Sequence, residues 1–370
     1  MKILLVTGSL NQGGAEYQLL ALALLLQKKG HQVEVLALTD YDHFLPFVRE
    51  HSIPYSCISN EGNRLSRLYR AVKAILQKKP LLVISYIKLV SQVAIIARVL
   101  SGFRFKLIIS ERTSLIKPLH DLYYFNLALL ANHITVNSIS KIEYIQKRFP
   151  LLKNRVSFMP NIIDVIRFES SSHLGAERHI NNQVKLVYVG RLSPEKNLIN
   201  LLEAVAELLR QNYQIELRLV GEAKNKPYFD SLMVKISELN LSSNVVFAGS
   251  TKDVAAEYSA ADLMCLPSYF EGFSNVLSEA ISSGLPVIAS DIPENRFLIE
   301  DGVNGFLVNP YQPNSIAKGI ERFLQLSLSS RVIMSKNNRE KALEIFDENQ
   351  VYKKYTDLIT KIGVINPGIL

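Results

Sequence analysis

Residues 184–221 read VKLVYVGRLSPEKNLINLLEAVAELLRQNYQIELRLVG, a stretch that predicts a strand, a helix and a second strand in succession. The apolar run at 184–190 ends in a glycine and predicts a strand, as does IELRLVG at 215–221. Between them, NLINLLEAVAELLRQN repeats its apolar residues at helical spacing. Strands that alternate with amphipathic helices predict a parallel sheet with helices on both faces.

The same alternation runs through the rest of the chain. In the first half, strands are predicted at KILLVTGS, HQVEVLALT, LLVISY, KLIIS and HITVNS, with helical segments between them. In the second half, further strands are predicted at NVVFAG, DLMCLPS, PVIAS and GFLVN. We therefore expect an α/β protein of two doubly wound, Rossmann-like domains that face a central cleft. Ligands of such folds bind outside the carboxyl ends of the strands.

The length of 370 residues is too great for one ordinary core and suits two domains. The boundary is expected near PNIIDVIRF at 160–168, and the polar stretch ESSSHLGAERHINNQ at 169–183 looks like a linker. The predicted domains are residues 1–165 and 166–345. A C-terminal helix in 346–370 is expected to return to the N-terminal domain.

Composition argues against several classes of protein. Apolar residues make up 48% of the chain, which excludes a disordered protein. Runs such as LLALALLL at 19–26 are far shorter than the roughly 18 residues that a membrane-spanning helix needs. The start MKILLVTGS predicts a strand rather than a secretion signal. Cys57 and Cys265 form no metal-binding or disulfide pattern, so a cytoplasmic protein is expected.

The net charge of +8 is unevenly distributed. Residues 1–160 hold 21 Lys and Arg against 9 Asp and Glu, a net charge of +12, whereas residues 161–370 hold 21 against 25, a net charge of −4. A basic half favours an anionic partner: membrane lipid, nucleic acid or a phosphorylated substrate. Residues 64–79 concentrate this charge in a predicted helix, with its cations largely on one side: Arg64, Arg67, Arg70, Lys73 and Lys78. That side is either a solvated helix face or a contact with a membrane surface.

The segment TGSLNQGGAEYQLL places Gly13 and Gly14 where the first helix begins. Glycines at that position let backbone N–H groups approach an anion at the positive helix end. They indicate either a contact with phosphate or sugar, or a structural loop. Only Gly8 precedes the pair, so the G-x-G-x-x-G spacing of nicotinamide-binding folds is absent.

The triplet Asp40-Tyr41-Asp42 follows the second predicted strand. Two acids in this spacing hold a divalent metal on a nucleotide diphosphate in one class of sugar-transfer enzyme. The pattern is common by chance, and two lone acids in a turn are usually solvated. A metal role for this triplet is therefore disfavoured.

The segment GRLSPEKN at 190–197 is more specific. Ser193 is a plausible N-cap, with Pro194 at the first helical position. Arg191 and Lys196 flank this turn, where Arg supplies a planar fork of donors and Lys a mobile point charge. Two cations at a strand–helix junction suit a diphosphate, although an exposed basic turn is the alternative.

The segment YFEGFSNVLSEA at 269–280 carries two carboxylates next to an apolar strand. Ser274 or Asn275 is expected to cap a helix that stops at Gly284. Glu271 then lies in the loop and Glu279 on the helix. Loop amides that bind anions and carboxylates that accept from hydroxyls suit a sugar nucleotide; alternatively, Glu279 only caps the helix and Glu271 is solvated.

Together, these motifs resemble a large family of retaining, nucleotide-sugar-dependent glycosyltransferases, called group 1 or family 4, which have the GT-B fold. The resemblance rests on GRLSPEKN, EGFSNVLSE with its E-x7-E spacing, GLPVIASD and DGVNGFLV. MKILLVTGSLNQGGAE and MPNIIDVIRF are similar to the N-terminus and the interdomain segment of that family. The resemblance covers nearly the whole chain. It implies a subgroup of the family that acts on lipid-linked or surface-polysaccharide glycans.

The resemblance implies roles for individual residues. Arg191 and Lys196 would bind the donor diphosphate, Glu271 the hydroxyls of the donor sugar, and Glu279 the ribose. The remaining donor-binding positions would contribute mainly backbone: Gly13, Gly14, Gly190, Gly221, Gly249, Gly272, Phe273, Ser274, Asn275, Val276 and Leu277. The resemblance also implies that no metal or other cofactor is needed, with a UDP-sugar as co-substrate.

One position departs from the family pattern. Many members carry a histidine after the strand that here reads KLIISERTS, whereas this chain has Glu111 and Arg112. Arg112 is expected to bind the donor or an anionic acceptor, and Glu111 to contribute to the acceptor site. His120 lies a few residues on and is a second candidate for the missing histidine, while His133 is expected to be structural.

These observations predict a glycosyltransferase that moves a hexose or N-acetylhexosamine from a UDP-sugar to a glycan hydroxyl with retention. The acceptor is expected to be a lipid-linked or polysaccharide glycan, and the basic half to lie against the inner face of a bacterial membrane. The alternative is a GT-B-like UDP-sugar epimerase or hydrolase. A non-enzymatic scaffold is disfavoured because the charged constellation is complete, and a nucleic-acid binder because the basic helix lacks interleaved aromatic residues.

Overall fold

The computed structural model describes residues 1–11, 13–41, 43–58, 61–113, 116–168 and 183–364. The chain divides into two compact units, one formed by residues 1–162 with 348–370 and the other by residues 163–347. The expected boundaries at 165 and 346 differ from these by two or three residues. Most of the expected linker, 169–182, lies outside the described residues.

The described residues of the first unit form a seven-stranded parallel sheet in the order β3-β2-β1-β4-β5-β6-β7. Its strands are β1 (Lys2–Thr7), β2 (Gln32–Ala37), β3 (Tyr55–Cys57), β4 (Leu82–Tyr86), β5 (Lys106–Glu111), β6 (His133–Val136) and β7 (Val156–Phe158). The short strands β3 and β7 were not expected, because three residues are too few to show an apolar periodicity.

The described residues of the second unit form a six-stranded parallel sheet in the order β10-β9-β8-β11-β12-β13. Its strands are β8 (Val184–Val189), β9 (Ile215–Val220), β10 (Val245–Gly249), β11 (Leu263–Leu266), β12 (Val287–Ser290) and β13 (Gly305–Val308). All six correspond to apolar runs that the sequence identifies as strands. Two Rossmann-like α/β domains are therefore confirmed.

Helices connect the strands. They are α1 (Gly14–Lys28), α2 (Leu45–Glu50), α3 (Arg64–Lys78), α4 (Lys88–Leu100), α5 (Pro118–Leu127), α6 (Ile139–Arg148), α7 (Leu198–Arg210), α8 (Lys226–Glu238), α9 (Val254–Ala260), α10 (Asn275–Ser282), α11 (Pro293–Arg296), α12 (Pro313–Leu324), α13 (Leu328–Phe346) and α14 (Glu348–Lys361). Within the described ranges, none of them is both long and apolar enough to cross a membrane.

Strand β1 shows why the apolar runs of the first unit are continuous. Ile3 and Leu5 belong to the core on one face of the sheet, and Leu4 and Val6 belong to the core on the other face. Because successive side chains point to opposite faces, a strand covered by helices on both sides must be apolar at every position. The C-terminal helix α14 contributes Tyr355 to the first of these cores.

Helix α3 carries the basic stretch of the first unit. Val72 and Ile75 are buried in the core. Leu65, however, is exposed, and Lys78 forms an ion pair with Glu34. The basic side of α3 is therefore partly neutralised.

Candidate donor-binding site

Three glycines end neighbouring strands of the second sheet. Gly190, Gly221 and Gly249 follow or close β8, β9 and β10, and all three have positive φ angles of 148°, 147° and 68°. A Cβ atom on Gly221 would lie 1.8 Å from the carbonyl oxygen of Gly190. Only glycine allows this approach, so the sequence pattern of strand-ending glycines builds a compact carboxyl edge.

The turn after β8 differs in detail from the expectation. Pro194–Lys196 forms one 3₁₀ turn, and Asn197 then adopts a left-handed conformation with φ of 58° before α7 begins at Leu198. The Ser193 hydroxyl donates to Glu195 Oε1 at 2.7 Å and does not cap the helix. The helix therefore starts later than Ser193-Pro194 indicates.

Asn197 fixes the position of this turn. Its buried side-chain amide donates to the carbonyl oxygens of Pro267 at 3.0 Å and Pro310 at 2.6 Å. These bonds tie the end of β8 to the ends of β11 and β13, so Lys196 is held on a rigid part of the edge.

Lys196 and Glu271 meet at this edge. Lys196 Nζ donates to Glu271 Oε1 at 2.6 Å, and the Ser268 hydroxyl donates to the same oxygen at 2.6 Å. The side chains of Lys196 and Glu271 are only 14% and 10% exposed. Within the part of the chain that the structure describes, Glu271 Oε2 makes no hydrogen bond, so it remains available to a ligand hydroxyl.

Arg191 lies near this pair but is held less firmly. Its side chain is 73% exposed, and its Nη2 atom is 3.7 Å from Glu195 Oε1. An exposed ion pair at that distance is weak, so the guanidinium is free to turn toward an anion.

The loop after β11 leads into α10 as the sequence predicts. The Ser274 side chain caps the helix by accepting from the Leu277 N–H at 3.3 Å. Phe273 is buried against Phe297 and Phe346, so its side chain anchors the loop. A Cβ atom on Gly272 would meet no atom within 4 Å, so there is open space beside the loop at this position.

Glu279 lies on α10, one turn beyond these amides. The Tyr258 hydroxyl is 3.2 Å from Glu279 Oε2 and 3.1 Å from the Val276 carbonyl oxygen. Burial raises the pKa of Glu279, while the Tyr258 hydrogen bond and Arg167 oppose the rise. The structure thus holds Glu279 by a side-chain hydrogen bond within the body of α10.

In the first unit, Arg112 is enclosed by protein acceptors. Its Nε atom donates to Ser110 Oγ at 2.9 Å and Nη1 to Asn161 Oδ1 at 2.9 Å. Its Nη2 atom donates to the hydroxyls of Tyr86 at 3.1 Å and Tyr355 at 3.4 Å. These contacts join β4, β5 and α14, which makes Arg112 an organiser of the carboxyl edge; a direct contact with substrate stays a prediction.

Glu111 ends β5 within a buried group of charges. It is 1% exposed, and its Oε2 atom lies 3.8 Å from Lys88 Nζ. Lys88 and the fully buried Lys141 both bind Asp121, at 2.5 and 2.9 Å. Burial raises the pKa of Glu111 to about 7, and Lys88 and Lys141 limit the rise.

The raised pKa of Glu111 makes stability depend on pH. Because the folded pKa lies above the usual value of 4.5, the stabilisation is full below pH 4.5 and is lost as the pH rises through about 7. The glutamine of Glu111→Gln does not titrate, so the variant lacks this pH dependence. The difference in unfolding free energy between wild type and the variant should therefore fall by about 2–3 kcal/mol between pH 4.5 and 8. Chemical denaturation at several pH values measures it. The exposed Glu50→Gln should run parallel to wild type, and a parallel curve for Glu111→Gln would contradict the expectation.

Gly13, Gly14 and His120 are the other predicted residues of the first unit. Gly13 is the N-cap of α1 with an extended backbone (φ −169°), and Gly14 is its exposed first residue. A Cβ atom on Gly13 would meet only the flexible end of Glu16, so neither backbone nor packing demands glycine there. His120 is exposed on α5, beside the ring of Tyr124. Contact of these residues with a donor or acceptor stays a prediction.

His133 and the acidic triplet are placed differently. His133 begins β6, at the amino end of the strand, where its Nε2 atom is 2.9 Å from Ser157 Oγ. Asp40 is exposed after β2, and Asp42 lies outside the described residues. Among the residues the structure describes, no cluster of three His, Cys, Asp or Glu side chains is placed to hold a metal ion.

Sequence reasoning missed several supporting residues. Ser268 binds Glu271, Tyr258 binds Glu279, and Asp121 joins Lys88 to Lys141. A polar residue directly after an apolar strand was the only sequence signal for Ser268. Asp121 and Lys141 stand in segments of ordinary helical periodicity, which give no sign that both are buried.

Two family models match the chain in consecutive stretches. The model described as Glycosyltransferase Family 4 matches residues 12–167, and the model described as Glycosyl transferases group 1 matches residues 173–341. The first of these stretches contains most of the first sheet, and the second contains the site at Lys196 and Glu271.

Curated relatives and solved structures agree with these models. An undecaprenol-linked alpha-1,4-N-acetyl-D-galactosaminyltransferase of Campylobacter jejuni is 27% identical over 98% of this chain and 99% of its own length. A UDP-Gal:alpha-D-GlcNAc-diphosphoundecaprenol alpha-1,3-galactosyltransferase of Escherichia coli is 28% identical over 55% of this chain and 54% of its own length. The HepE protein of Anabaena, solved with UDP, superimposes with a TM-score of 0.85 at 24% identity, over 98% of this chain and all of that one. The protein belongs to the group 1 and family 4 glycosyltransferases and has their GT-B fold.

Proposed function

We propose that the protein transfers a hexose or N-acetylhexosamine from a UDP-sugar to a hydroxyl of a lipid-linked or cell-surface glycan. The observation that carries this proposal is the Lys196–Glu271 pair, whose glutamate lies in the loop that leads into α10. It combines a cation, anion-binding amides and a carboxylate with a free oxygen, which matches the phosphates and hydroxyls of a sugar nucleotide. The C. jejuni and E. coli relatives are named for undecaprenol-linked acceptors, which supports an acceptor of that class.

In the proposed reaction, the bond between the anomeric carbon and the diphosphate oxygen breaks. The acceptor oxygen bonds to the same carbon from the same face, and its proton passes to the departing diphosphate oxygen. Lys196, Arg191 and the amides of α10 stabilise the charge that develops on the diphosphate. Glu271 Oε1 is engaged by Lys196 and Ser268, and Oε2 is proposed to accept from a sugar hydroxyl. With both oxygens occupied, the same-face route with retention is favoured over a covalent sugar–Glu271 intermediate.

The remaining donor contacts follow from the same edge. Glu279, held by Tyr258, accepts from the ribose hydroxyls. The nucleotide is proposed to lie at the carboxyl end of the sheet, where the glycines that end β8, β9 and β10 bring backbone rather than side chains to the ligand.

We also propose that the reaction needs no metal ion. Lys196 and Arg191 provide at this edge the positive charge that a divalent cation provides elsewhere. Activity in excess EDTA should stay within about twofold of activity in Mg²⁺. A loss of most activity that only a divalent cation restores would contradict this.

The first unit is proposed to bind the acceptor and an anionic membrane surface. Helix α5 exposes Leu119 (88%), and the neighbouring 3₁₀ segment (Pro150–Arg155) exposes Leu151 (77%). Leu122 and Leu151 line the same hollow as Arg148, so apolar and basic groups lie together there. Such a surface suits the headgroup region of a bilayer.

Co-sedimentation with phosphatidylglycerol vesicles tests this surface. Binding should weaken at high salt and should fall in Leu119→Ser and Leu151→Ser, because both charge and apolar insertion contribute. Ile333→Ser is a matched control, since Ile333 is an exposed apolar residue of the other unit. Salt-insensitive binding, or equal loss in all three variants, would contradict a specific surface.

Release of UDP with and without acceptor tests the function itself. A transferase should release UDP from the correct UDP-sugar much faster when a lipid diphosphate glycan is present. Release of free sugar at the same rate without acceptor would instead favour the hydrolase or epimerase alternative.

A further inference from the structure

A basic site lies at the amino ends of the strands of the first sheet, at the end opposite to Glu111 and Arg112. A cavity of about 520 Å³ opens beside the amino end of β6 and is bounded by α4, the 3₁₀ segment at 150–155 and the end of α14. We call it the basal cavity. Its basic lining residues are Arg98, His133, Arg155 and Lys361. Strand β5 separates this edge from Glu111 by its six residues, or roughly 17 Å.

The lining of the basal cavity is basic and uncompensated. No Asp or Glu is among its lining residues. Arg98, Arg155 and Lys361 form no ion pair with any residue that the structure describes, although ion pairs are frequent elsewhere in the chain. Three converging cations without a counter-charge repel one another, and a bound anion would remove that cost.

Arg98 is held rigidly in this wall. It is 9% exposed, and its Nε atom donates to the Phe105 carbonyl oxygen at 3.0 Å while Nη1 donates to the carbonyl of Leu130. Its guanidinium stacks on the Phe103 ring at 4.8 Å. Among the described residues, nothing accepts from Nη2, so a fixed donor is left for a ligand.

Burial and neighbouring cations lower the pKa of two groups in this wall. Burial and then Arg155 lower the pKa of Arg98. Burial and then Lys361 lower the pKa of His133 to about 4, so this ring is neutral near pH 7. The positive charge of the cavity at that pH therefore comes from Arg98, Arg155 and Lys361.

We propose that the basal cavity binds a phosphate or diphosphate group, separately from the donor site. The volume accommodates a diphosphate with part of its ester, and a fixed guanidinium with two mobile cations suits several phosphate oxygens. The exposed Phe103 ring at the rim offers an apolar surface to the esterified part. The same chemistry is presented by a phospholipid headgroup and by a soluble phosphate ester.

Titration with inorganic pyrophosphate tests the site. The full chain is first titrated with UDP, which shows separately whether the donor site binds its ligand. Pyrophosphate is then titrated in the presence of saturating UDP. Arg155→Gln and Lys361→Gln should each weaken pyrophosphate binding roughly tenfold, because each removes a charge-assisted contact. Both side chains are exposed, so folding should be unaffected. Lys153→Gln is the matched control: it lies in the same 3₁₀ segment as Arg155 but outside the cavity lining, and should stay within about twofold.

A second arm distinguishes the two sources of phosphate. If the ligand is a lipid headgroup, Arg155→Gln and Lys361→Gln should also weaken binding to phosphatidylglycerol vesicles, and pyrophosphate should compete. If it is soluble, vesicle binding should not change while pyrophosphate binding falls. The proposal is overturned if both variants leave both kinds of binding within twofold of wild type, or if Lys153→Gln weakens binding as much as they do.

Discussion

Lys196→Ala should lower kcat by about 10²–10³, the cost of removing a preorganised charge from a developing anion. The side chain is held by Glu271 at 2.6 Å and is largely buried, so it needs little reorganisation during the reaction. Arg191→Ala should cost less, because Arg191 is exposed and loosely held. Initial rates with a saturating UDP-sugar measure both.

The chain offers a matched control for this experiment. Lys235 forms an ion pair with Glu203 at 2.8 Å in the same unit, on helices α8 and α7. Lys235→Ala should leave kcat within about twofold. Normal turnover in both Lys196→Ala and Arg191→Ala would refute their role at the leaving group.

Glu271→Ala should lower kcat/KM by about 10²-fold or more. The carboxylate accepts from Lys196 and Ser268, and hydrogen bonds to a charged group are each worth about 1.5–3 kcal/mol. Its loss also removes an acceptor for sugar hydroxyls and frees Lys196 to move. Glu271→Gln keeps the shape without the charge and should lie between alanine and wild type.

Combining the two substitutions tests whether the pair acts as a unit. The double variant Lys196→Ala, Glu271→Ala should lose much less than the product of the single losses, because each single change already disrupts the other residue. Glu203→Ala, from the matched pair, should be nearly silent. Fully multiplicative losses would show that the two residues act independently.

The sequence predicted the positions of the second sheet well because each strand there is a continuous apolar run with a clear end. Gly190 and Gly221 are examples, since a glycine directly after such a run marks a close approach of strand ends. Ser274 likewise predicted the start of α10 correctly, because serine is a common N-cap residue. These features depend on neighbouring residues in the sequence, so they can be recognised without knowledge of the tertiary structure.

Contacts between distant segments were not predictable in the same way. Lys196 meets Glu271 because β8 and β11 are neighbours, and alternation of strands and helices does not reveal the strand order. Arg112 reaches Tyr355, 243 positions away, because α14 packs on the first sheet. Lys141 can be buried because it pairs with Asp121, which is another contact between separate segments.

The Lys196–Glu271 pair is proposed to direct transfer of a sugar from a UDP-sugar to an acceptor hydroxyl with retention. The most direct measurement is a proton NMR spectrum of the product formed from an α-linked UDP-sugar and a lipid diphosphate glycan. Wild type should give one new α-linked sugar, and Lys196→Ala should give almost none in the same time. A β-linked product, free sugar as the main product, or equal yield from the variant would contradict it.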